Sequence, residues 1–186
     1  MTENKTSAVE IKGSEDFKVV RKFGLNLVFS KDENIIQYVR KIIKQLHKWI
    51  FSRKIEWLTM LIVSKETEEI SEKWMFHIDV ISDTSEEANL DLGSTTLTPI
   101  EDIQNGIQTI IRQISASVAL LPEFEEPQTF SILVHTIGDI AHSKDWSDAG
   151  DMEDLSGENI ESVQFNNFKT DVHKVSTFVT YKTRDL

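Results

Sequence analysis

The chain has 186 residues, 39% apolar and 27% charged, a balance that suits one globular domain with a full core. Its net charge of −11 would repel a phosphate backbone, which argues against nucleic-acid binding, and its lack of cysteine excludes disulfides, thiolate metal sites and cysteine nucleophiles. No apolar run could cross a bilayer, and the polar start MTENKTSAVE has no signal-peptide core, so the expected compartment is the cytoplasm or nucleus, with no membrane partner.

Met1 to Ser7 reads as a loose tail, and Ala8 to Lys12 as a short strand before Gly13 and Ser14. From Phe17 to Phe29, β-branched and aromatic residues around Gly24 predict one bulged or bent strand. Ser30 with Glu33 forms a capping box, opening a helix in which Ile35, Ile36, Val39, Ile42, Ile43, Leu46, Trp49 and Ile50 recur with helical period. The apolar run Trp57 to Val63, a polar turn, and a segment with Ile70, Trp74, Phe76, Ile78 and Val80 on one face predict an antiparallel hairpin. Ser82 to Leu97 is rich in Ser, Thr, Asp and Glu and reads as a long mobile connector.

The central element runs from Thr98 to Pro122. Thr98 can cap, Pro99 suits the first helical position, Glu101 closes a capping box and Pro122 ends the helix. Ile100, Ile103, Ile107, Ile110, Ile111, Ile114, Val118 and Leu121 form a stripe about 100° wide that should lie on a core. Asn105, Gln108, Arg112, Ala116 and Ala119 form the opposite face, where Arg112 is either an ordinary solvated cation or a docking residue. Beyond it, Thr129 to Thr136 alternates Phe130, Ile132 and Val134 as a third strand. Ile137 to Asn159 reads as a loose acidic tether carrying Trp146, and VQFNNF and KVSTFVTYK as two β segments. Val175, Thr177, Val179 and Tyr181 share a face of the last, which should add to a sheet edge.

Catalytic signatures are missing: there is no phosphate-cradling glycine loop, no helical metal motif and no serine-nucleophile elbow. His47, His77, His135, His142 and His173 are dispersed, and Asp145, Asp148, Asp151, Glu153 and Asp154 lack the alternation and central glycine of a calcium loop. No enzyme, cofactor or metal is expected.

Three stretches, VRKFGLNLVFS with QLHKWIF, IRQISASVALLPE, and VQFNNFKTDVHKVSTFVTYK, together resemble the HORMA-domain spindle-checkpoint proteins of the mitotic-arrest-deficient-two family. The resemblance includes EKWMFHID and the KDW ending at Trp146, and spans about Val9 to Lys182. It implies an α+β HORMA domain over 8–182: an antiparallel sheet with helices on one face, a flexible 1–7 tail, and a mobile C-terminal safety belt over 137–186. In that family the C-terminal strands can lie on either sheet edge. In the closed form they leave the strand bearing Phe130, Ile132, Leu133 and Val134 free for an extended peptide, with the tether wrapped over it.

The implied function is a spindle assembly checkpoint adaptor that delays anaphase. Its partners would be the checkpoint scaffold at unattached kinetochores, the activator of the anaphase-promoting complex, other checkpoint proteins, and a second copy in a dimer of open and closed forms. The implied sites are nucleus and kinetochore, and also cytoplasm. An accessory subunit of a DNA-repair polymerase or a meiotic axis protein is the alternative within the fold. Trp74, Trp146, Phe168, His173, Val175, Phe178 and Tyr181 fall on belt and switch positions, and Arg112, Gln113, Ala119 and Leu120 on the dimer face. Leu120 stands where relatives often have Phe, and Asn166 where some have Arg. Ser14 runs straight into Glu15, where relatives insert a long amphipathic helix of about two dozen residues with its turn. Without that neighbour, some of Val39, Ile43, Ile107 and Ile114 should be exposed to water or covered only by the mobile ends.

Overall fold

The computed structural model describes residues 2–7, 14–81, 98–138, 146–148, 155, 159–171 and 173–183. The elements in chain order are β1 (Thr2–Ser7), a 3-10 turn (Ser14–Asp16), β2 (Phe17–Lys22), β3 (Leu25–Ser30), α1 (Glu33–Phe51), β4 (Ile55–Ser64) and β5 (Ile70–Val80). They continue with α2 (Ile100–Ser117), β6 (Gln128–Thr136), β7 (Ser147–Asp148), β8 (Ile160–Gln164), β9 (Phe168–Lys169) and β10 (His173–Lys182). An eight-stranded sheet runs β7-β1-β6-β4-β5-β10-β8, with β9 also paired to β10, and every described pairing in it is antiparallel.

The hairpin β4–β5 is as expected, and β6 joins it as the third strand, so Ile62 stands between Phe130 and Glu72. Alternation then sends Val134, Met60, Trp74, Phe76, Val179 and Tyr181 to the helix-covered face. Leu61, Val63 and Leu133 form a smaller cluster with Ile70. Trp57 is half-buried on the side away from the helices, stacked on His77 with ring centroids 4.7 Å apart and edge-on to His135 at 6.2 Å.

Several local expectations need correction. Phe17 to Phe29 is not one bent strand but a separate hairpin, β2–β3. Phe23 at φ 50° and Gly24 at φ 70° take the left-handed conformation at both centres of a two-residue turn, which reverses the chain. Helix α1 is capped by Asp32 rather than Ser30: its Oδ1 accepts the N–H groups of Asn34 at 2.7 Å and Ile35 at 3.4 Å, while Ser30 Oγ accepts from the Asp32 N–H. Helix α2 is shorter than Thr98 to Pro122, because three turn residues follow Ser117. Thr98 does not cap it; its hydroxyl and N–H are both given to the Asp171 carboxylate. The α2 stripe is only partly covered, since Ile114 and Leu121 join the core cluster around Trp74 while Ile100 and Val118 are exposed.

The largest correction is at the N-terminus. Thr2 to Ser7 is not a loose tail but a strand registered along the outer edge of β6 from Phe130 to His135. Strand β10 adds to the β5 edge as expected, and β8 and β9 pair with its far side. The strand expected at Ala8 to Lys12 and the connector at Ser82 to Leu97 lie outside the described residues. Only nine residues separate β1 from β2, too few for a long helix, and the described part of them is the 3-10 turn. As expected of a missing neighbour, Val39 and Ile43 of α1 are 38% and 58% exposed, whereas Ile107 and Ile114 are half-buried.

Candidate functional site

Two edges flank the β6-β4-β5 core, and the expected functional residues divide between them. On the β5 side, Trp74 is buried against Phe165, with parallel rings and centroids 6.0 Å apart, in one cluster with Val179 and Tyr181. The Trp74 indole N–H donates at 2.8 Å to the buried Glu72 carboxylate. Burial pushes the Glu72 pKa up, and the indole hydrogen bond opposes that shift. Tyr181 donates its hydroxyl proton at 2.8 Å to Glu161 of β8, and this bond raises the phenol pKa. Val175 stands between Ile78 of β5 and Phe168 of β9, and Phe178 is half-buried and paired with Met75. His173 opens β10 in a tight turn: its carbonyl accepts from the Thr170 N–H at 2.7 Å, and its own N–H donates to Thr170 Oγ1 at 2.9 Å. Phe168 lies so close to Gly106 of α2 that a Cβ built there would stand 2.2 Å from the ring, so this helix glycine is what lets β9 dock.

On the β6 side, Leu133 and Val134 are fully buried, Ile132 packs on the cluster of Trp49 and Val134, and Phe130 meets Tyr38 edge-on at 5.7 Å. Burial pushes the Tyr38 phenol up to about 12. Six registered pairs join β6 to β1, from Thr2 with His135 to Ser7 with Phe130. Strand β7 pairs with the far side of β1, Glu3 with Asp148 and Asn4 with Ser147, so the C-terminal tether crosses outside the N-terminal strand. Trp146 anchors that crossing, buried against Trp49 with ring centroids 5.0 Å apart. Leu155 is also buried. Trp146 therefore joins the peptide-edge cluster with Val134, and not the cluster of Trp74 and Tyr181.

The four residues expected on a dimer face are not equivalent. Arg112, Ala119 and Leu120 are exposed, whereas Gln113 is half-buried and its Oε1 accepts the Asn166 N–H at 3.0 Å. Gln108, on the same helix face, donates at 2.7 Å to the Phe23 carbonyl and seats the β2–β3 turn. Sequence reasoning missed Phe165 as the ring on Trp74, Trp49 as the anchor of Trp146, Glu72 as the indole acceptor and Gly106 as the seat of Phe168. The first two were legible only as generic apolar residues, since their partners are more than 90 residues away. Of the acidic run near the tether, Asp148 alone is described, and among the described residues no group of three His, Asp or Glu could hold a metal ion.

A sheet carrying an extended segment on one edge beneath a crossing belt, with the C-terminal strands locked on the other, defines a belt-closed, strand-accepting domain. The HORMA domain family matches residues 13–173, and the chain belongs to that family, within its mitotic-arrest-deficient-two spindle checkpoint members. It is 40% identical over 169 residues to the mitotic spindle checkpoint component mad2 of Schizosaccharomyces pombe, covering 91% of this chain and 80% of that relative. To the human mitotic spindle assembly checkpoint protein MAD2A it is 31% identical, covering 91% and 78%. Among solved structures it matches a chain of the mitotic checkpoint complex with a TM-score of 0.77 and 38% identity, covering 92% and 87%. A C. elegans HTP-2 chain bound to a HIM-3 closure motif shares the fold, with a TM-score of 0.65 and 14% identity over 93% and 81% of the two chains.

Proposed function

We infer that this spindle checkpoint protein is a non-catalytic adaptor that captures an extended partner segment as a strand along the outer edge of β6, beneath the tether. One observation carries the reading: β10 is committed to β5, while the far edge of β6 carries a six-residue strand crossed by β7. Main-chain hydrogen bonds supply affinity in such strand addition, and the belt anchored by Trp146 slows release. Similarity to checkpoint proteins and to a chain of the mitotic checkpoint complex supports partners of that kind. These are the checkpoint scaffold at kinetochores and the activator of the anaphase-promoting complex, met in the nucleus, at kinetochores and in the cytoplasm, with delay of anaphase as the result. The belt is the 137–186 segment of a single domain whose sheet also takes in Thr2–Ser7. The exposed Arg112, Ala119 and Leu120, with Gln113 beside them, form the face that pairs a closed copy with an open one.

A pull-down from mitotic extract tests the reading. The full chain should recover the scaffold or the activator, and a chain ending before Thr177 should recover neither, because Val179 and Tyr181 close the β5 edge. Recovery of a polymerase subunit instead, or undiminished capture by the shortened chain, contradicts it.

A further inference from the structure

The segment that lies on the capture edge belongs to the chain itself. Strand β1 occupies the position between β6 and the crossing strand β7, the place a captured segment would need. Its composition makes it a poor occupant: TENKTS has no apolar side chain, yet Glu3 and Lys5 stand in register with Val134 and Ile132, and Asn4 with Leu133. Such a strand offers main-chain hydrogen bonds and little apolar burial. Its advantage is the tether, because only six residues separate Ser7 from Ser14. A tether of so few residues keeps a strand at roughly millimolar effective concentration beside its edge.

We propose that Thr2–Ser7 is a tethered internal competitor for the capture edge, displaced by an extended segment with apolar residues at the positions now held by Glu3 and Lys5. This rests on reading the β6 edge as the capture site. Capture is then an exchange of strands: a polar partner with main-chain bonds alone cannot compete with the tethered copy, while one that adds apolar burial against Val134 and Ile132 can. The N-terminal strand thus sets a threshold for admission. If it occupies the edge about 90% of the time, the apparent affinity for an incoming segment is weakened about tenfold.

The probe is a labelled synthetic peptide of residues 1–12 carrying Glu3→Val and Lys5→Val, its uptake followed by fluorescence anisotropy. In the full-length chain, Asn4→Pro with Lys5→Pro removes one backbone donor toward each neighbouring strand, since successive N–H groups point to opposite sides. This variant should take up the peptide about tenfold more tightly than the parent. Independently, the cysteine-free chain permits Thr6→Cys with Ser131→Cys at a registered pair, where antiparallel Cα separations of about 4.5–5.5 Å suit a disulfide. This pair should oxidise readily, lose uptake when oxidised and regain it on reduction. Thiols that stay free under oxidation overturn the occupancy of the edge while leaving the capture reading standing. A disulfide that forms without changing uptake overturns the competition. Uptake by neither the proline variant nor the reduced cysteine variant overturns the capture reading, and the competitor role with it.

Discussion

The two flanks of the β6-β4-β5 core use the same backbone chemistry and differ in what the side chains add. On the β5 flank, nine registered pairs with β10 are backed by the buried cluster of Trp74, Phe165, Val179 and Tyr181. On the β6 flank, six pairs join a polar strand that is held from outside by a two-residue strand and Trp146. Net hydrogen-bond contributions are about 1 kcal/mol each on either side, whereas a fully buried large apolar side chain adds about 1.5–3 kcal/mol. The lesson is that pairing alone does not decide which edge is permanent. Apolar burial makes the β5 flank a lock and leaves the β6 flank a site that can be vacated.

Trp74→Ala should break this comparison most severely. It removes the ring that faces Phe165 and leaves Glu72 buried without its indole donor, so a loss of about 3–5 kcal/mol is expected in denaturant unfolding. A change under about 1 kcal/mol would mean that the cluster is not the lock. Trp146→Ala should cost less, because the strand it anchors can leave without unfolding the sheet. It should raise the release rate of a captured peptide about tenfold, as measured by displacement, in line with the loss of an aromatic pair and part of the crossing.

How much of this was legible in the sequence follows from range. The hairpin β4–β5, the strand β6 and both helices carry local periodicity, and the family was readable from runs such as IRQISASVALLPE. The caps were misassigned because Asp32 lies between Ser30 and Glu33, and because Thr98 is claimed by Asp171, 73 residues away. The role of β1 was hidden because TENKTS has no apolar residue and so no apolar alternation, and only Thr2 and Thr6 favour a strand; it is a strand because an edge is there to template it. For the site, the resemblance named candidate edge and switch residues, but their division into a Trp146 cluster and a Trp74 cluster depends on contacts across the fold.

Smaller effects sharpen the account. Glu72 has a raised pKa in the folded chain, so its contribution to stability is fullest below the ordinary glutamate range and is lost as pH rises through the folded value. Glu72→Gln keeps an acceptor for the indole and should make the chain no less stable at neutral pH, with a gain up to about 1 kcal/mol that shrinks toward acid. Thermal melts across that range check it, and a parent that gains stability on raising pH through this window, with the variant flat, would reverse the assigned sign. Arg112→Glu should change stability by no more than about 0.5 kcal/mol, since the residue is exposed, while weakening self-association in sedimentation. An undiminished dimer would remove Arg112 from the interface.

Native-state hydrogen exchange on the unaltered chain tests the lock-and-door distinction most directly. Amides that pair β10 with β5 should exchange only with global unfolding, while those pairing β6 with β1 exchange far faster through local opening and slow when a peptide is captured. Equal protection on the two flanks, unchanged by peptide, would contradict the account.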